Sequence, residues 1–251
     1  MSTVETNLVQ PSTGTSLTLG ASGDTISIPS GATIANSGTA TGFGGGLANV
    51  QFFTSSGTYT RTTDVSKIIV AICGGGGGGG GGRTSYGYEG LGGAGAGFCY
   101  KYISSAPSTS TITIGSGGAG GGADTNGTAG GASSYADGTI TLTANGGDWG
   151  YMGGWTETAD GGTASGGNLN ITGANGGVSP YTIGTTTSVA GGSGGACAFP
   201  FTNAGSMKHS EVGDAGQFGS GGSGGGGNNS YSSTRQAGAG GGGCCIIWEY
   251  I

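Results

Sequence analysis

Nine consecutive glycines, residues 74–82, follow directly on the apolar run Lys67-Ile-Ile-Val-Ala-Ile-Cys73. Glycine loses more backbone freedom on folding than any other residue. Ordering nine residues costs roughly 9–18 kcal/mol in backbone entropy. The run is therefore either a tether or a segment whose neighbours offset that cost.

Composition bears on this choice. Glycine supplies 67 of 251 residues, a share that by default signals low complexity. Yet only 7% of residues are charged and 33% are hydrophobic, whereas disordered chains are usually charged and poor in apolar residues. Short apolar segments alternate with the glycine segments, which a tether does not need. Five prolines and no sustained Gly-X-Y frame exclude collagen. Glycine, serine and threonine disfavour helix almost everywhere.

Glycine-rich segments recur at 90–97, 115–122, 127–132, 161–167, 173–177, 190–195, 213–227 and 238–243. Strand-like stretches lie among them, at 50–53, 58–60, 68–72, 98–103, 111–114, 139–143, 168–171 and the apolar C-terminus with Trp248. Residues 68–72 are apolar on both faces, so a strand buried on both sides is expected. Other inserts are irregular and aromatic: 83–89, 148–155, 178–181, 198–201 and 228–236.

One physical solution accommodates this alternation. Extended glycine segments can adopt the polyproline-II helix, which rises about 3.1 Å per residue and has no internal hydrogen bonds. Without Cβ atoms such helices can approach closely and satisfy one another's backbone groups. At a net 0.5–1.5 kcal/mol per hydrogen bond, several packed together could repay an entropy that one could not. The inserts would then be loops at the two ends of the block.

Residues 1–48 differ. Ser16-Leu-Thr-Leu19, Thr25-Ile-Ser-Ile28 and Ala32-Thr-Ile34 alternate apolar and hydroxyl residues, and Gly23-Asp24 and Pro29-Ser-Gly31 supply turns. So small a segment cannot bury a core alone, and three copies wound together would be the natural solution. The expected fold is all-β and irregular: an N-terminal trimeric β stalk (1–48), then a β element and a polyglycine-II sandwich (49–251) with almost no α-helix.

The stretch from Val50 to Ile251 resembles the glycine-rich C-terminal domain at the tips of bacteriophage tail fibres. The likeness rests on Gln51-Phe-Phe-Thr-Ser-Ser-Gly-Thr-Tyr-Thr60 and on Lys67-Ile-Ile-Val-Ala-Ile-Cys73 followed by polyglycine. It continues in Ile112-Thr-Ile-Gly-Ser-Gly-Gly-Ala-Gly-Gly121, Asn168-Leu-Asn-Ile-Thr-Gly-Ala-Asn-Gly-Gly177 and Cys244-Cys-Ile-Ile-Trp-Glu-Tyr250. In design it is similar to the adhesins of T-even phage long tail fibres, whose glycine motifs form a sandwich of polyglycine-II helices. Residues 12–43 resemble the slender β stalk of marine-phage fibres. The resemblance implies host recognition, with receptor specificity in the loops between glycine motifs. It also implies a virion tail-fibre location and contacts with other tail proteins through the N-terminus.

Chemistry is poorly represented. The strand before residues 74–82 superficially suggests a phosphate loop, but Arg83-Thr84 does not supply its lysine and no helix follows. His209 is the only histidine, so a Ser-His-Asp site would rest on one loop residue. Asp148, Glu157 and Asp160 gather around two tryptophans, which leaves a polysaccharide depolymerase as a remote alternative. No cofactor or metal is expected, and the protein is read as a non-enzyme. A purely structural glycine-rich protein is the other alternative. The net charge is −6 and the six basic residues are scattered, so nucleic acid is not an expected partner. No apolar stretch approaches a membrane span, and the N-terminus lacks the pattern of a signal peptide. Synthesis in a bacterial cytoplasm follows, with the five cysteines reduced and buried.

Aromatics in the glycine-, serine- and asparagine-rich inserts are the candidate recognition residues: Tyr86, Tyr88, Trp149, Tyr151, Trp155, Tyr181, Phe199, Phe201 and Tyr231. Large rigid rings supply contact area at little entropy cost. The expected partner is a bacterial outer-surface receptor, protein or glycan, approached by a homotrimer.

Overall fold

The computed structural model describes residues 22–23, 25–27, 29–31, 46–84, 89–153, 157–179, 190–199, 204–205, 212–226 and 235–251. The chain divides into two compact units, Met1–Phe43 and Gly44–Ile251. In the first, Gly23 and Gly31 adopt φ of +93° and +87° in turns, where the sequence places turns. Residues 25–27 are exposed and outside any strand. The strands expected at 16–19 and 32–34, and the trimeric stalk, lie outside the described residues.

The second unit is all-β, with no helix among the described residues. Its strands are β1 (Leu47–Phe53), β2 (Gly57–Thr60), β3 (Lys67–Cys73), β4 (Phe98–Ile103), β5 (Thr109–Thr113), β6 (Ser133–Ala136), β7 (Thr141–Ala144), β8 (Ala164–Ser165), β9 (Leu169–Ile171) and β10 (Cys244–Tyr250). They form two antiparallel sheets, ordered β1-β10-β3-β4-β9 and β2-β5-β6-β7-β8. Ile68, Val70, Ile72 and Ile247 of the first sheet pack with Tyr59, Ile112, Tyr135 and Leu142 of the second. Ala71 and Cys73, on the other side of β3, pack with Phe98, Cys197, Phe199 and Cys244. The central strand β3 is thus buried on both sides over its last residues, as its unbroken apolar run predicts.

Glu249 is fully buried where β10 meets β1 and β2. Its carboxylate accepts bonds from Tyr59 Oη (2.8 Å), Thr62 N (2.9 Å), Thr62 Oγ1 (2.7 Å), Asn49 Nδ2 (2.8 Å) and Gln51 Nε2 (3.2 Å). Burial alone would raise its pKa, but the Thr62, Tyr59 and Gln51 donors outweigh it and hold the carboxyl at about 2.

Beyond the sheets the strands run on as glycine segments. β3 continues into 74–82, segment 90–97 leads into β4, and segment 235–243 leads into β10. All nine N–H groups of 74–82 are bonded, and their acceptors repeat every three residues. Gly74, Gly77 and Gly80 donate to Gly97, Ala94 and Leu91. Gly75, Gly78 and Gly81 donate to Gly131, Thr128 and Thr125, and Gly76, Gly79 and Gly82 to Gly241, Gly238 and Arg235. These three neighbours run antiparallel.

The carbonyls take three further neighbours, all parallel. Gly75 and Gly78 accept from Gly147 and Gly150, Gly76 and Gly79 from Gly118 and Gly121, and Gly77 and Gly80 from Gly222 and Gly225. One segment therefore bonds to six others, with the three-residue period of a polyproline-II helix. Segments 90–97 and 219–226 are likewise buried along their length and bonded to surrounding segments. The run 74–82 is one interior member of a packed array and not a tether.

Two segments differ from the sequence reading. Residues 148–151, expected within the aromatic insert 148–155, are part of an array segment that starts at Asn145: Gly147 and Gly150 donate to Gly75 and Gly78, and Asp148 and Tyr151 accept from Ala94 and Leu91. Residues 213–226, expected to belong to one segment 213–227, are two arms. They are joined by a tight turn in which Ser220 N donates to Gln217 O, with Phe218 and Gly219 at φ of +31° and +81°.

Candidate functional site

The array has two unlike ends. At one, Cys73, Phe98 and Cys244 mark the passage from sheet to glycine helix. At the other, a single layer of bonds joins Gly82 to Arg235 and Asp124, Gly90 to Gly225 and Gly192, Leu91 to Tyr151, and Gly177 to Ser193. This far layer lies a full helix length from the sheets. Gly213 joins Gln236 on the same layer.

The inserts that carry Tyr86, Tyr88, Trp155, Tyr181 and Tyr231 leave from this layer and return to it. Their flanking residues are Gly82 and Gly90, Tyr151 and Ala159, Gly177 and Ala190, and Gly226 and Arg235. The five aromatics themselves lie outside the described residues, as do Phe201 and His209.

Polar bonds fix the roots of these inserts. Arg83 Nε donates to Met152 O at 3.3 Å, and Met152 N donates to Asn126 Oδ1 at 2.8 Å. The Thr84 amide and hydroxyl both donate to the Asp124 carboxylate, which holds that carboxyl below its usual range. Glu89 is buried at the same level. Burial pushes its carboxyl up, against the opposing pull of the Ser179 hydroxyl and the Arg235 charge.

Trp149 and Tyr151 are the described members of the aromatic set near this end. Trp149 is 36% exposed, and its ring lies 6.2 Å from that of Tyr151 at a tilt of 56°. Both are carried by a glycine helix of the array and not by a loop, so the backbone beneath them is rigid. Asn126, Asp148 and Asp160 are exposed beside them, tied in by the Gly127–Gly150 and Asp148–Asp160 backbone bonds.

A match to a family follows the same stretch of chain: residues 53–250 match the glycine-rich domain family. The chain belongs to the glycine-rich domain family. The match runs from the end of β1 to the end of β10, so it takes in both sheets and the whole array. No curated protein matches the chain.

Within this glycine-rich domain one candidate residue needs correction. Phe199 is only 3% exposed. Its ring lies 6.0 Å from Phe98, edge to face, in the cluster that holds Cys73, Cys197 and Cys244. It covers the sheet at the near end of the array. Trp248, read as core, is half-buried on the outer face of the first sheet and packs against the same cluster.

Sequence reasoning also missed Asn126, Arg83 and Asp124 as the residues that tie the insert roots together. Asp124 has a signal of its own. It is one of three described non-glycine residues with positive φ, at +56°, a conformation that aspartate tolerates better than most.

Proposed function

We propose that this chain is the tip of a bacteriophage tail fibre and binds a bacterial surface receptor through the far end of its glycine array. One observation carries the reading: the roots of four inserts, which carry five of the aromatics, gather at one end of the array, with Trp149 and Tyr151 beside them. A rigid scaffold with variable aromatic loops gathered at one end suits recognition. Residues 1–43 serve as the stalk that trimerises and joins other tail proteins, and several fibres acting together supply avidity. The protein is not an enzyme in this reading.

The test uses the full chain, fluorescently labelled, against a panel of bacterial strains. Binding to a subset of strains is expected. It should be lost when residues 84–88 and 227–234 are replaced by glycine-serine linkers of equal length. Binding to no strain, or binding indifferent to the replacements, overturns the proposal. Release of oligosaccharides from strain polysaccharide would favour a depolymerase instead.

A further inference from the structure

Three array segments contain an asparagine followed by a glycine: Asn126-Gly127, Asn145-Gly146 and Asn175-Gly176. Such a step is open to chemistry within the chain. The main-chain nitrogen of the glycine can attack the asparagine Cγ and close a ring, because glycine has no Cβ to crowd it. All three asparagines are exposed, so exposure does not separate them. The nitrogen that must attack does.

Gly127 N donates to Gly150 O at 3.0 Å, and Gly176 N donates to Ala159 O at 3.0 Å. Each of these nitrogens is committed to a carbonyl of a neighbouring helix, and freeing it requires a local opening of the array. Gly146 N donates no backbone bond among the described residues. The threefold period explains the difference. Along segment 145–151, Asn145 and Asp148 donate to Thr163 and Asp160, and Gly147 and Gly150 donate to Gly75 and Gly78. The remaining row, Gly146 and Trp149, has no backbone partner among the described residues.

The side chains divide in the same way. Asn126 Oδ1 accepts from Met152 N at 2.8 Å, and Asn175 Oδ1 accepts from Gly161 N at 3.1 Å. Both carbonyl groups are thus tied to the main chain of another segment. Asn145 is held only through Nδ2, which donates to Thr163 Oγ1 at 2.8 Å. That nitrogen is the one that leaves in the reaction, and Thr163 is itself exposed.

We propose that Asn145 is a site of spontaneous succinimide formation in the folded protein, and that the array protects Asn126 and Asn175. Gly146 N gives up its proton to water or hydroxide and bonds to Asn145 Cγ. The Cγ–Nδ2 bond breaks, and Nδ2 takes a proton from water and leaves as ammonia. Water then opens the ring at either carbonyl, which gives aspartate or isoaspartate. No electrons change hands, and water is the only co-reactant. Isoaspartate adds one atom to the main chain at the start of segment 145–151, where Gly147 and Gly150 are registered against Gly75 and Gly78. The modification is independent of the receptor reading.

The test keeps the full chain folded at mildly alkaline pH for several weeks. Samples are digested at acid pH and mapped by mass spectrometry, with fragmentation that distinguishes aspartate from isoaspartate. Conversion at Asn145 should run at least fivefold faster than at Asn126 or Asn175, and should yield both products. In guanidinium-denatured chain the three sites should convert at similar rates. Folded protein in which Asn145 converts no faster than the other two, or gives aspartate without isoaspartate, overturns the proposal.

Discussion

A Cβ on residue 78 would lie 2.0 Å from the carbonyl oxygen of Ala119, well inside any real contact. That carbonyl cannot retreat freely, because it accepts the Thr128 N–H at 2.9 Å. The bare backbone of Gly78 is therefore a condition of the array closing. Gly78→Ala should cost more than about 4 kcal/mol or abolish cooperative unfolding. Gly122→Ala is the contrast, since its Cβ would meet nothing closer than Thr125 Oγ1 at 3.7 Å. Thermal unfolding followed by circular dichroism should separate the two. Equal melting temperatures would contradict the packed array.

Glu249 should make the sandwich acid-sensitive. Its folded pKa of about 2 lies below the ordinary 4.5. The stabilisation is thus complete above about pH 4.5 and drains away as pH falls toward 2. Glu249→Gln should be less stable near pH 7 by about 3 kcal/mol, because its NH2 would confront the Asn49 and Gln51 donors. Between pH 5 and pH 2 the variant should lose less stability than the wild type. Parallel slopes in that window would show that Glu249 is not the sensing group.

Trp149 and Phe199 separate recognition from packing. Phe199→Ala should cost about 3–5 kcal/mol by opening a cavity under Phe98. Trp149→Ala should leave the melting temperature within a few degrees and lower binding to recognised strains at least tenfold. A stable Phe199 variant with weakened cell binding would reverse the two assignments.

The thiols should be silent in the native state. All five cysteines are buried and outside disulfides, and burial pushes the Cys99 and Cys245 thiols up, which leaves little reactive thiolate. A chromogenic disulfide reagent should titrate close to no thiol in native protein and all five after denaturation. Rapid labelling of Cys73 and Cys244, whose sulfurs lie 3.4 Å apart at the junction of sheet and array, would mean that this junction opens.

The strands with long apolar runs were legible in the sequence. Residues 98–103 coincide with β4, and 68–72 lie within β3. The polyglycine run was legible too, because nothing else repays so much ordered glycine. Residues 145–151 were not. That segment lies at the edge of the array and needs glycine only where a neighbour approaches, at Gly146, Gly147 and Gly150. Asn145, Asp148 and Trp149 face outward, so the segment reads like a loop. β6, with Ser133-Ser-Tyr-Ala136, was missed because only Tyr135 marks its buried side. Phe199 was misplaced since a ring in a Gly/Pro-rich insert looks the same in sequence whether it faces solvent or a sheet. Which insert belongs to which end depends on the direction of each glycine helix, and only the hydrogen bonds reveal it.

The threefold turn of the donors has a consequence for how such a chain can change length. Adding one or two residues to segment 74–82 would rotate every later N–H by about a third or two thirds of a turn. Each would then face the wrong neighbour, and the registry with six other segments would be lost at once. Adding three would return the donors to their partners one layer further out. Length variation inside the array should therefore come in triplets, matched among contacting helices, while the inserts at its ends are free to vary residue by residue.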